Sequence, residues 1–320
     1  MEDNSAIDFP RSARDKYIPF KVAGAGNRGL VYFALPIHDL PKEPPKSSDQ
    51  YAALRQKLVA VKLLKTYSGA QPQAELDSIQ NLQLTLASGT SGVPTAWDPV
   101  TRLLPWPIRL SRAMDAPWYA MRAIHGATLE TLLEIEPLLP RSLVFWIFRE
   151  LVTALATIRA RGMMYTDLSP SNIMLHGVSG DTAVAEPLSM TLLDPGSVRP
   201  HTRAREEYAC LTLLTVMHEV SKERELPKVS KEQRGMVSAA DDFYFFVRAG
   251  RRQRERRIPV LALDRLWQGF AEVVEAFRRT VGVQVPDCWI AELAKPIMSD
   301  EELDAAIIEG GLRVRIDERG

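Results

Sequence analysis

Hydrophobic residues follow a strand-like pattern in the first third of the chain. Tyr17–Val22 and Leu30–Leu35 are rich in aliphatic and aromatic residues and flank a glycine-rich turn, which predicts a β-hairpin. The apolar run Leu58–Leu64 predicts a buried strand whose single cation is Lys62. Because an unpaired charge in a buried strand is costly, Lys62 is expected to have an acidic partner.

Glu75 is the candidate for that partner. A helix is expected to begin near Pro72, and Glu75 falls in its first turn. Ile79 and Leu82 follow at i+4 and i+7, so the carboxylate lies beside an apolar stripe. We therefore expect an ion pair between Lys62 and Glu75.

From Pro140 onward the hydrophobic pattern is helical. Arg141–Arg161 carries a broad apolar face, and Glu206–Val220 is apolar on nearly every side, which predicts a helix through a core. Ile258–Val281 is a third, strongly amphipathic segment. The second part of the chain is therefore predicted to be mainly helical.

Three segments show neither the strand pattern nor the helical pattern. Residues 1–16 are polar and are expected to form a flexible N-terminus. Pro36–Lys57 contains several prolines and serines, a composition that cannot bury enough surface to fold alone, and we interpret it as a surface insertion. Gly89–Pro107 is rich in turn-forming residues and contains Trp97 and Trp106, so a recognition flap is an alternative to a plain connection.

Length and composition are those of a globular protein. The 320 residues, 46% hydrophobic and 25% charged, suffice for one large or two modest domains. Forty basic side chains balance forty acidic ones, so no net field favours nucleic acid or a membrane surface. No apolar run approaches the roughly 20 residues of a membrane helix, and the N-terminus has no targeting profile. We predict a cytoplasmic protein without nucleic-acid or membrane partners.

The cysteines point to the same compartment. Cys210 and Cys288 are the only ones, and neither lies in a CxxC pair or in a metal-ligand spacing with the five histidines. Two buried thiols in a reducing cytoplasm are therefore expected.

Two short motifs far apart in the chain carry the candidate chemistry. Gly24–Val31 has the spacing of a glycine loop that covers phosphates, since Gly24, Gly26 and Gly29 have no side chain to prevent a close approach. Tyr165–Asn172 presents one carboxylate suited to act as a base and one amide suited to bind a metal. Together the two motifs indicate ATP-dependent phosphoryl transfer.

The order of the motifs favours the same interpretation. Lys62 ends a Val-Ala-Val-Lys sequence, Glu75 follows on a helix, and the apolar run Met190–Leu193 leads into Asp194-Pro195-Gly196. In this order the chain resembles the protein-kinase-like superfamily over roughly residues 17–220. The resemblance implies an α+β, bilobal protein kinase-like fold, with a small antiparallel-sheet N-lobe at residues 17–122 and a larger helical C-lobe at residues 123–320.

The resemblance also implies roles for the motif residues around ATP and Mg²⁺. Lys62 is expected to bind the α and β phosphates and Glu75 to hold it through an ion pair, while the three glycines cover the phosphates. Asp167 is expected to orient and deprotonate the acceptor hydroxyl. Asn172 and Asp194 are expected to supply oxygen ligands to Mg²⁺.

Adenine requires an apolar slot with a backbone hydrogen-bonding edge. By resemblance, Val31 and Ala60 form the roof of this slot and Met174 its floor. Met121 is expected to be the gatekeeper, and the backbone of residues 122–124, centred on Ala123, the hinge. Core packing is also a sufficient explanation for an apolar residue at each of these positions.

Several positions depart from the family pattern. Tyr165–Asp167 stands in place of His-Arg-Asp, so switching through a phosphorylated activation segment is not expected. Ser169 replaces a common lysine, and Pro195 replaces the phenylalanine of Asp-Phe-Gly. About ten residues separate Gly196 from the helix near Glu206, which leaves no room for a long substrate-binding loop.

The leading hypothesis is an ATP-dependent kinase that phosphorylates a Ser/Thr hydroxyl of a protein or peptide. Most arginine runs are solvated faces, but Arg248–Arg257 is also a candidate dock for an acidic peptide. The short segment after Gly196 resembles aminoglycoside- and choline-kinase-type enzymes, whereas Asp167–Asn172 and Tyr208–Leu211 resemble the kinase domains of lanthipeptide synthetases.

Three other functions stay open. The first is a small-molecule kinase. The second is a pseudokinase that serves as an interaction scaffold, which the joint presence of the candidate lysine, the three candidate acids and the candidate amide argues against. The third is nucleotidyl transfer, for which ATP would be bound in the reverse orientation.

Overall fold

The computed structural model describes residues 9–26, 29–41, 43–65, 72–88, 102–105, 107–112, 116–177, 188–221 and 262–317. These ranges combine helices with antiparallel β-structure, so the fold class is mixed α+β. Within them, no helix is both long enough and apolar enough to cross a membrane.

The helices and strands are numbered in chain order. The helices are α1 (Arg11–Arg14), α2 (Ser48–Gln56), α3 (Pro72–Ser88), α4 (Leu129–Ile135), α5 (Arg141–Arg159), α6 (Arg203–Val220), α7 (Leu263–Val281), α8 (Asp287–Leu293) and α9 (Asp300–Asp317). The strands are β1 (Tyr17–Gly26), β2 (Gly29–Pro36), β3 (Val59–Leu64), β4 (Pro107–Ser111), β5 (Trp118–Arg122), β6 (Ala127–Thr128), β7 (Met163–Tyr165), β8 (Ile173–Gly177), β9 (Leu188–Leu192) and β10 (Val198–Pro200). Short 3₁₀ turns span Ile37–Asp39, Pro170–Asn172 and Pro195–Ser197.

The chain divides into two compact units. Unit one comprises Met1–Gln80, Pro105–Ile124 and Pro296–Gly320, and unit two comprises Asn81–Leu104 and His125–Lys295. The predicted N-lobe, residues 17–122, and C-lobe, residues 123–320, divide the chain differently in two segments, because Asn81–Leu104 belongs to unit two and the C-terminal segment Pro296–Gly320 to unit one. That segment groups with unit one because α9 packs against α2 and the hydrophobic residues next to it.

Unit one is built on a five-stranded antiparallel sheet with the strand order β1-β2-β3-β5-β4. The predicted hairpin is confirmed as β1 and β2, with Tyr17 opposite Pro36 and Gly26 opposite Gly29. The strand predicted at Leu58–Leu64 is confirmed as β3, and every residue of β3 is buried. Its side chains enter two different cores, because successive residues of a strand point to opposite faces.

Each face of the sheet buries its own hydrophobic cluster. On one face, alternate β3 residues pack with α1 and the neighbouring strands: Phe9, Ala13, Tyr17, Tyr32, Ala34, Val59, Val61, Leu63, Trp118 and Ala120. On the other face, the remaining apolar β3 residues pack with α3 and β5: Ala60, Leu64, Leu76, Ile79, Tyr119 and Met121. Because Phe9 and Ala13 are 2% and 0% exposed, the predicted flexible N-terminus is packed from residue 9 onward.

Helix α2 lies within Pro36–Lys57, which its composition predicts to be an irregular surface insertion. Ser47 caps the helix by accepting a hydrogen bond from the Gln50 amide at 3.4 Å. Leu54 is buried against Leu35 and against apolar residues of α9. The prediction is wrong for this helix because the apolar surface that stabilises it comes from the far end of the chain.

Polar contacts join α9 and the residues before it to α2. The Arg55 Nε donates to the Met298 carbonyl oxygen at 2.8 Å, and its guanidinium forms an ion pair with Asp300. The Tyr51 hydroxyl donates to the Asp304 carboxylate at 2.8 Å. These contacts fix the register of α9 on the hydrophobic cluster that it covers.

Unit two is organised around α5, which confirms the helix predicted over Arg141–Arg161. Most of its side chains are buried. Helix α7 packs along it through aromatic pairs, with ring centroids 4.8 Å apart for Phe145 and Phe277 and 6.3 Å apart for Phe148 and Trp267. Helices α6 and α7 confirm the two other predicted helices. Small antiparallel sheets of order β6-β8-β9 and β10-β7 complete the described part of this unit.

Glu206 links α5, α6 and α7. Its carboxylate accepts hydrogen bonds from Arg159 at 2.8 Å, from His201 at 2.9 Å and from the Leu263 amide at 3.1 Å. Burial opposes ionisation of Glu206, but these hydrogen bonds outweigh burial and hold its pKa below the ordinary value. The stabilisation is therefore present above the ordinary pKa of glutamate and is lost as the pH falls through the lowered pKa.

The two cysteines differ in environment. Cys210 on α6 is buried, and burial raises the pKa of its thiol to about 12. Cys288 on α8 is exposed, so the prediction of two buried thiols is wrong for this residue. Trp289 and Leu293 occupy the buried face of that short helix, which leaves Cys288 on the opposite face.

Two sequence predictions concern residues outside the described ranges. The arginine run Arg248–Arg257 lies wholly outside them. Most of Gly89–Pro107 does too, including Trp97 and Trp106. The acidic-peptide dock and the recognition flap therefore stay predictions.

We expect Leu303→Ala to lower the free energy of unfolding by about 2–4 kcal/mol, because the side chain is fully buried between α9 and α2. Ile308→Ala on the same helix is the matched control, since Ile308 is 57% exposed, and we expect a change of less than about 0.5 kcal/mol. Chemical denaturation followed by circular dichroism measures both. Equal effects of the two substitutions would contradict the packing of α9 in unit one.

Candidate functional site

Lys62 is a buried cation of unit one. It lies opposite Val31 of β2 and Tyr119 of β5, and it is 8% exposed. Its position in β3 puts it on the same face as Ala60 and Leu64, which is the face that packs against α3. The strand therefore directs a charged group into an otherwise apolar layer.

Glu75 neutralises this charge. Helix α3 begins at Pro72, as predicted, and Glu75 lies in its first turn with only 7% of its surface exposed. The Lys62 Nζ is 2.8 Å from the Glu75 Oε1, so the expected ion pair is present. Because both groups are desolvated, removal of either takes from the other a charged partner that compensates its burial.

Tyr119 is the third member of this cluster and was not predicted from the sequence. Its hydroxyl donates to the Glu75 Oε1 at 3.1 Å, and the Lys62 Nζ is 5.8 Å from the centre of its ring. The side chain is fully buried. Alternation along β5 could have identified it, because Tyr119 shares a face with Met121 and lies opposite Lys62.

The predicted phosphate-covering glycines occupy the end of the β1–β2 hairpin. A Cβ at Gly29 would lie 2.2 Å from the Leu63 carbonyl oxygen, so packing of the sheet alone requires glycine there. A Cβ at Gly24 or Gly26 would have no atom within 4 Å. The fold itself does not require glycine at these two positions, which are open to an approaching ligand.

The predicted adenine-binding residues are split between the units. In unit one, Val31, Ala60 and Met121 belong to the cluster beneath α3. The Ala123 amide donates to the Leu58 carbonyl oxygen at 3.3 Å. The Ala123 side chain packs against the hydrophobic cluster that contains Leu303 and Ile307 of α9. Its amide and its side chain therefore both have contacts within unit one. Met174 lies on β8 in unit two and is partly buried.

The loop between β7 and β8 carries Asp167 and Asn172 in unit two. The Asn172 Nδ2 donates to the Asp167 carbonyl oxygen at 2.9 Å, which closes the loop on itself. The Asn172 carbonyl oxygen accepts from the Leu193 amide at 2.7 Å, which joins this loop to the one after β9. The amide nitrogen is a donor and does not bind cations, so the amide oxygen of Asn172 is the atom suited to bind one, and the hydrogen bond of Nδ2 orients the side chain.

Asp194 has an unusual backbone conformation. Its φ of 58° makes it the one non-glycine residue with positive φ in the described part of the chain. A left-handed conformation costs a non-glycine residue roughly 1–3 kcal/mol and is concentrated at functional sites. The 3₁₀ turn Pro195–Ser197 follows directly.

The Ser197 hydroxyl lies next to the carboxylates of both Asp167 and Asp194. The Ser197 Oγ is 2.9 Å from the Asp194 Oδ2 and 3.5 Å from the Asp167 Oδ2. The Ser197 carbonyl oxygen accepts from the Thr166 amide at 3.1 Å and from the Thr166 hydroxyl at 2.9 Å. Two acidic groups thus lie around one side chain, although 27 residues separate them in the sequence.

These donors suit a hard divalent cation that brings ligands of its own. Within the described ranges, no group of three or more His, Cys, Asp or Glu side chains could hold a metal ion. Mg²⁺ is commonly bound by one or two carboxylates together with water and substrate phosphates, rather than by a complete protein cage. The Asp194 carboxylate and the amide oxygen of Asn172, the two predicted metal ligands, fit that mode of binding.

We expect Glu75→Ala to destabilise the protein by about 3–5 kcal/mol, because it leaves the Lys62 ammonium buried without its carboxylate. The double variant Lys62→Met with Glu75→Leu removes both charges and should recover most of this loss. Asp77→Ala, an exposed acid on the same helix, is the control and should cost less than about 1 kcal/mol. Urea unfolding measures all three, and a Glu75→Ala protein as stable as the control would contradict the role of the pair.

No model of a known protein family matches this chain, and no curated protein matches it. Its function is therefore inferred from the residues and contacts of the two units.

Proposed function

We propose that this protein is a Mg²⁺- and ATP-dependent phosphotransferase that transfers the γ-phosphoryl group to an alcohol, with a Ser/Thr hydroxyl of a protein or peptide as the leading acceptor. The observation that carries the proposal is the pair of carboxylates, Asp167 and Asp194, within 3.5 Å and 2.9 Å of one serine hydroxyl. Neighbouring like charges favour a bound cation. A general base beside a cation-binding acid is the combination that phosphoryl transfer to a hydroxyl requires.

Unit one supports the proposal with the groups that hold a polyphosphate. In the proposal, Lys62 binds the α and β phosphates, and Glu75 and Tyr119 keep its ammonium from turning back into the apolar core. The open positions Gly24 and Gly26 let the hairpin backbone approach phosphate oxygens closely. Val31, Ala60 and Met121 supply apolar contacts for the base of the nucleotide.

Unit two supplies the proton acceptor and the metal ligands. Asp167 accepts the proton of the acceptor hydroxyl while the new bond between oxygen and phosphorus forms and the bond to the leaving ADP breaks. Asn172 and Asp194 hold Mg²⁺, which neutralises phosphate charge when it is bound with ATP. The hydrogen bonds between the two loops keep these oxygen atoms fixed, so little reorganisation is needed during the reaction.

A small-molecule alcohol is the second candidate acceptor. One observation favours it: α6 begins at Arg203, nine residues after Asp194, and β10 fills part of the interval. A long loop for docking an extended peptide has no room in this interval. A protein acceptor would therefore be recognised elsewhere, for which Arg248–Arg257 is the candidate named from the sequence.

The first test follows the label from ATP. Wild-type protein with Mg²⁺ and either γ-labelled or α-labelled ATP is offered acidic Ser/Thr peptides and, separately, small amino alcohols. We expect the γ label, and not the α label, on one class of acceptor. Transfer of the α label would indicate nucleotidyl transfer. No transfer to any acceptor, with thermal stabilisation by ATP retained, would favour an interaction scaffold.

Asp167→Asn tests the assignment of the base. We expect it to lower the transfer rate by about 10²–10⁴-fold, because the amide cannot accept the proton, and to leave ATP binding nearly unchanged. Asp287→Asn, an exposed acid at the start of α8, is the control and should transfer normally. Wild-type transfer by Asp167→Asn would show that another group is the base.

A further inference from the structure

Ser197 is buried beside both candidate acids and has no role in the chemistry described so far. It ends the 3₁₀ turn that begins at Pro195 and is 1% exposed. A serine hydroxyl carries one proton, so it donates to one acceptor at a time. The contact of 2.9 Å with Asp194 is much shorter than that of 3.5 Å with Asp167, so the Asp194 carboxylate is the main acceptor.

The backbone of Ser197 is fixed from two sides. Its amide donates to the Asp194 carbonyl oxygen at 2.9 Å, and its carbonyl oxygen accepts two hydrogen bonds from Thr166. Thr166 directly precedes Asp167 in the chain. The position of the hydroxyl is therefore set jointly by the loop that carries Asp194 and by the loop that carries Asp167.

We propose that Ser197 is a positioning residue that orients the Asp194 carboxylate for the Mg²⁺ bound with the nucleotide. The inference rests on the proposed function and adds to it a residue that touches neither the metal nor the substrate. Asp194 adopts a left-handed backbone conformation, and the direction of its carboxylate depends in addition on its side-chain torsions. A donor bound to Oδ2 restricts those torsions and would hold the carboxylate in place for the cation.

Hydrogen-bond partners of metal ligands have a characteristic effect. Their loss weakens binding of the metal by about 10–100-fold, because the ligand no longer has a fixed orientation. If Ser197 only filled space, its substitution would change the stability of the protein but not the dependence of nucleotide binding on Mg²⁺. The two roles are therefore separated by measuring nucleotide binding with and without Mg²⁺.

The experiment measures the affinity for ADP by calorimetry, with excess Mg²⁺ and with EDTA, in wild type, Ser197→Ala and Ser197→Cys. Ser197→Cys retains nearly the same shape but has a weak donor. We expect both variants to bind ADP about tenfold more weakly than wild type in Mg²⁺ and as tightly as wild type in EDTA. We also expect transfer to need a several-fold higher Mg²⁺ concentration, with the KM for the acceptor unchanged.

Ser142→Ala is the matched control. Ser142 is also a buried serine of unit two and lies on helix α5. Its hydroxyl accepts a hydrogen bond from the Gln284 amide at 3.1 Å. This variant should bind ADP as wild type does under both conditions. If Ser197→Ala is too unstable to measure, Ser197→Cys alone decides the question.

Two results overturn the inference in distinguishable ways. Equal affinity of wild type and both Ser197 variants for ADP in Mg²⁺ would refute the positioning role and leave the proposed function intact. Wild-type protein whose affinity for ADP does not depend on Mg²⁺ would refute the proposed function, and the inference with it.

Discussion

The buried ion pair between Lys62 and Glu75 is the interaction on which the architecture of unit one depends. A strand in which every residue is buried admits an ammonium only if a carboxylate reaches it, and α3 supplies that carboxylate from its first turn. The pair thus ties the helix to the sheet at one point. Tyr119 adds a hydrogen bond and an aromatic face, so three elements meet around a single charge.

In unit two, hydrogen bonds rather than an ion pair hold the candidate residues together. Its two candidate acids are far apart in the sequence, and contacts between backbone groups of the two loops bring them to the same serine. The strained conformation of Asp194 persists because the surrounding hydrogen bonds determine it. In our proposal, unit one contributes a cation for the phosphates, and unit two contributes the base and the metal ligands.

Periodicity predicted the elements whose burial is local. The hairpin was identified from strand-forming residues on both sides of a glycine turn, β3 from a continuous apolar run, and α5 from apolar residues along one broad helical face. The composition of Pro36–Lys57 concealed α2, since the helix is stabilised by α9 rather than by its own sequence. Tyr119 could have been found from strand alternation, whereas Ser197 gave no signal, because a turn residue becomes important only through the loops that surround it.

Acylation of Lys62 by an ATP acyl phosphate, followed by mass spectrometry, tests the central claim most directly. Such a reagent modifies lysines close to its phosphates, so we predict that Lys62 is labelled in the presence of Mg²⁺ and protected by excess ATP. Labelling of Lys62 that excess ATP does not reduce would contradict the account.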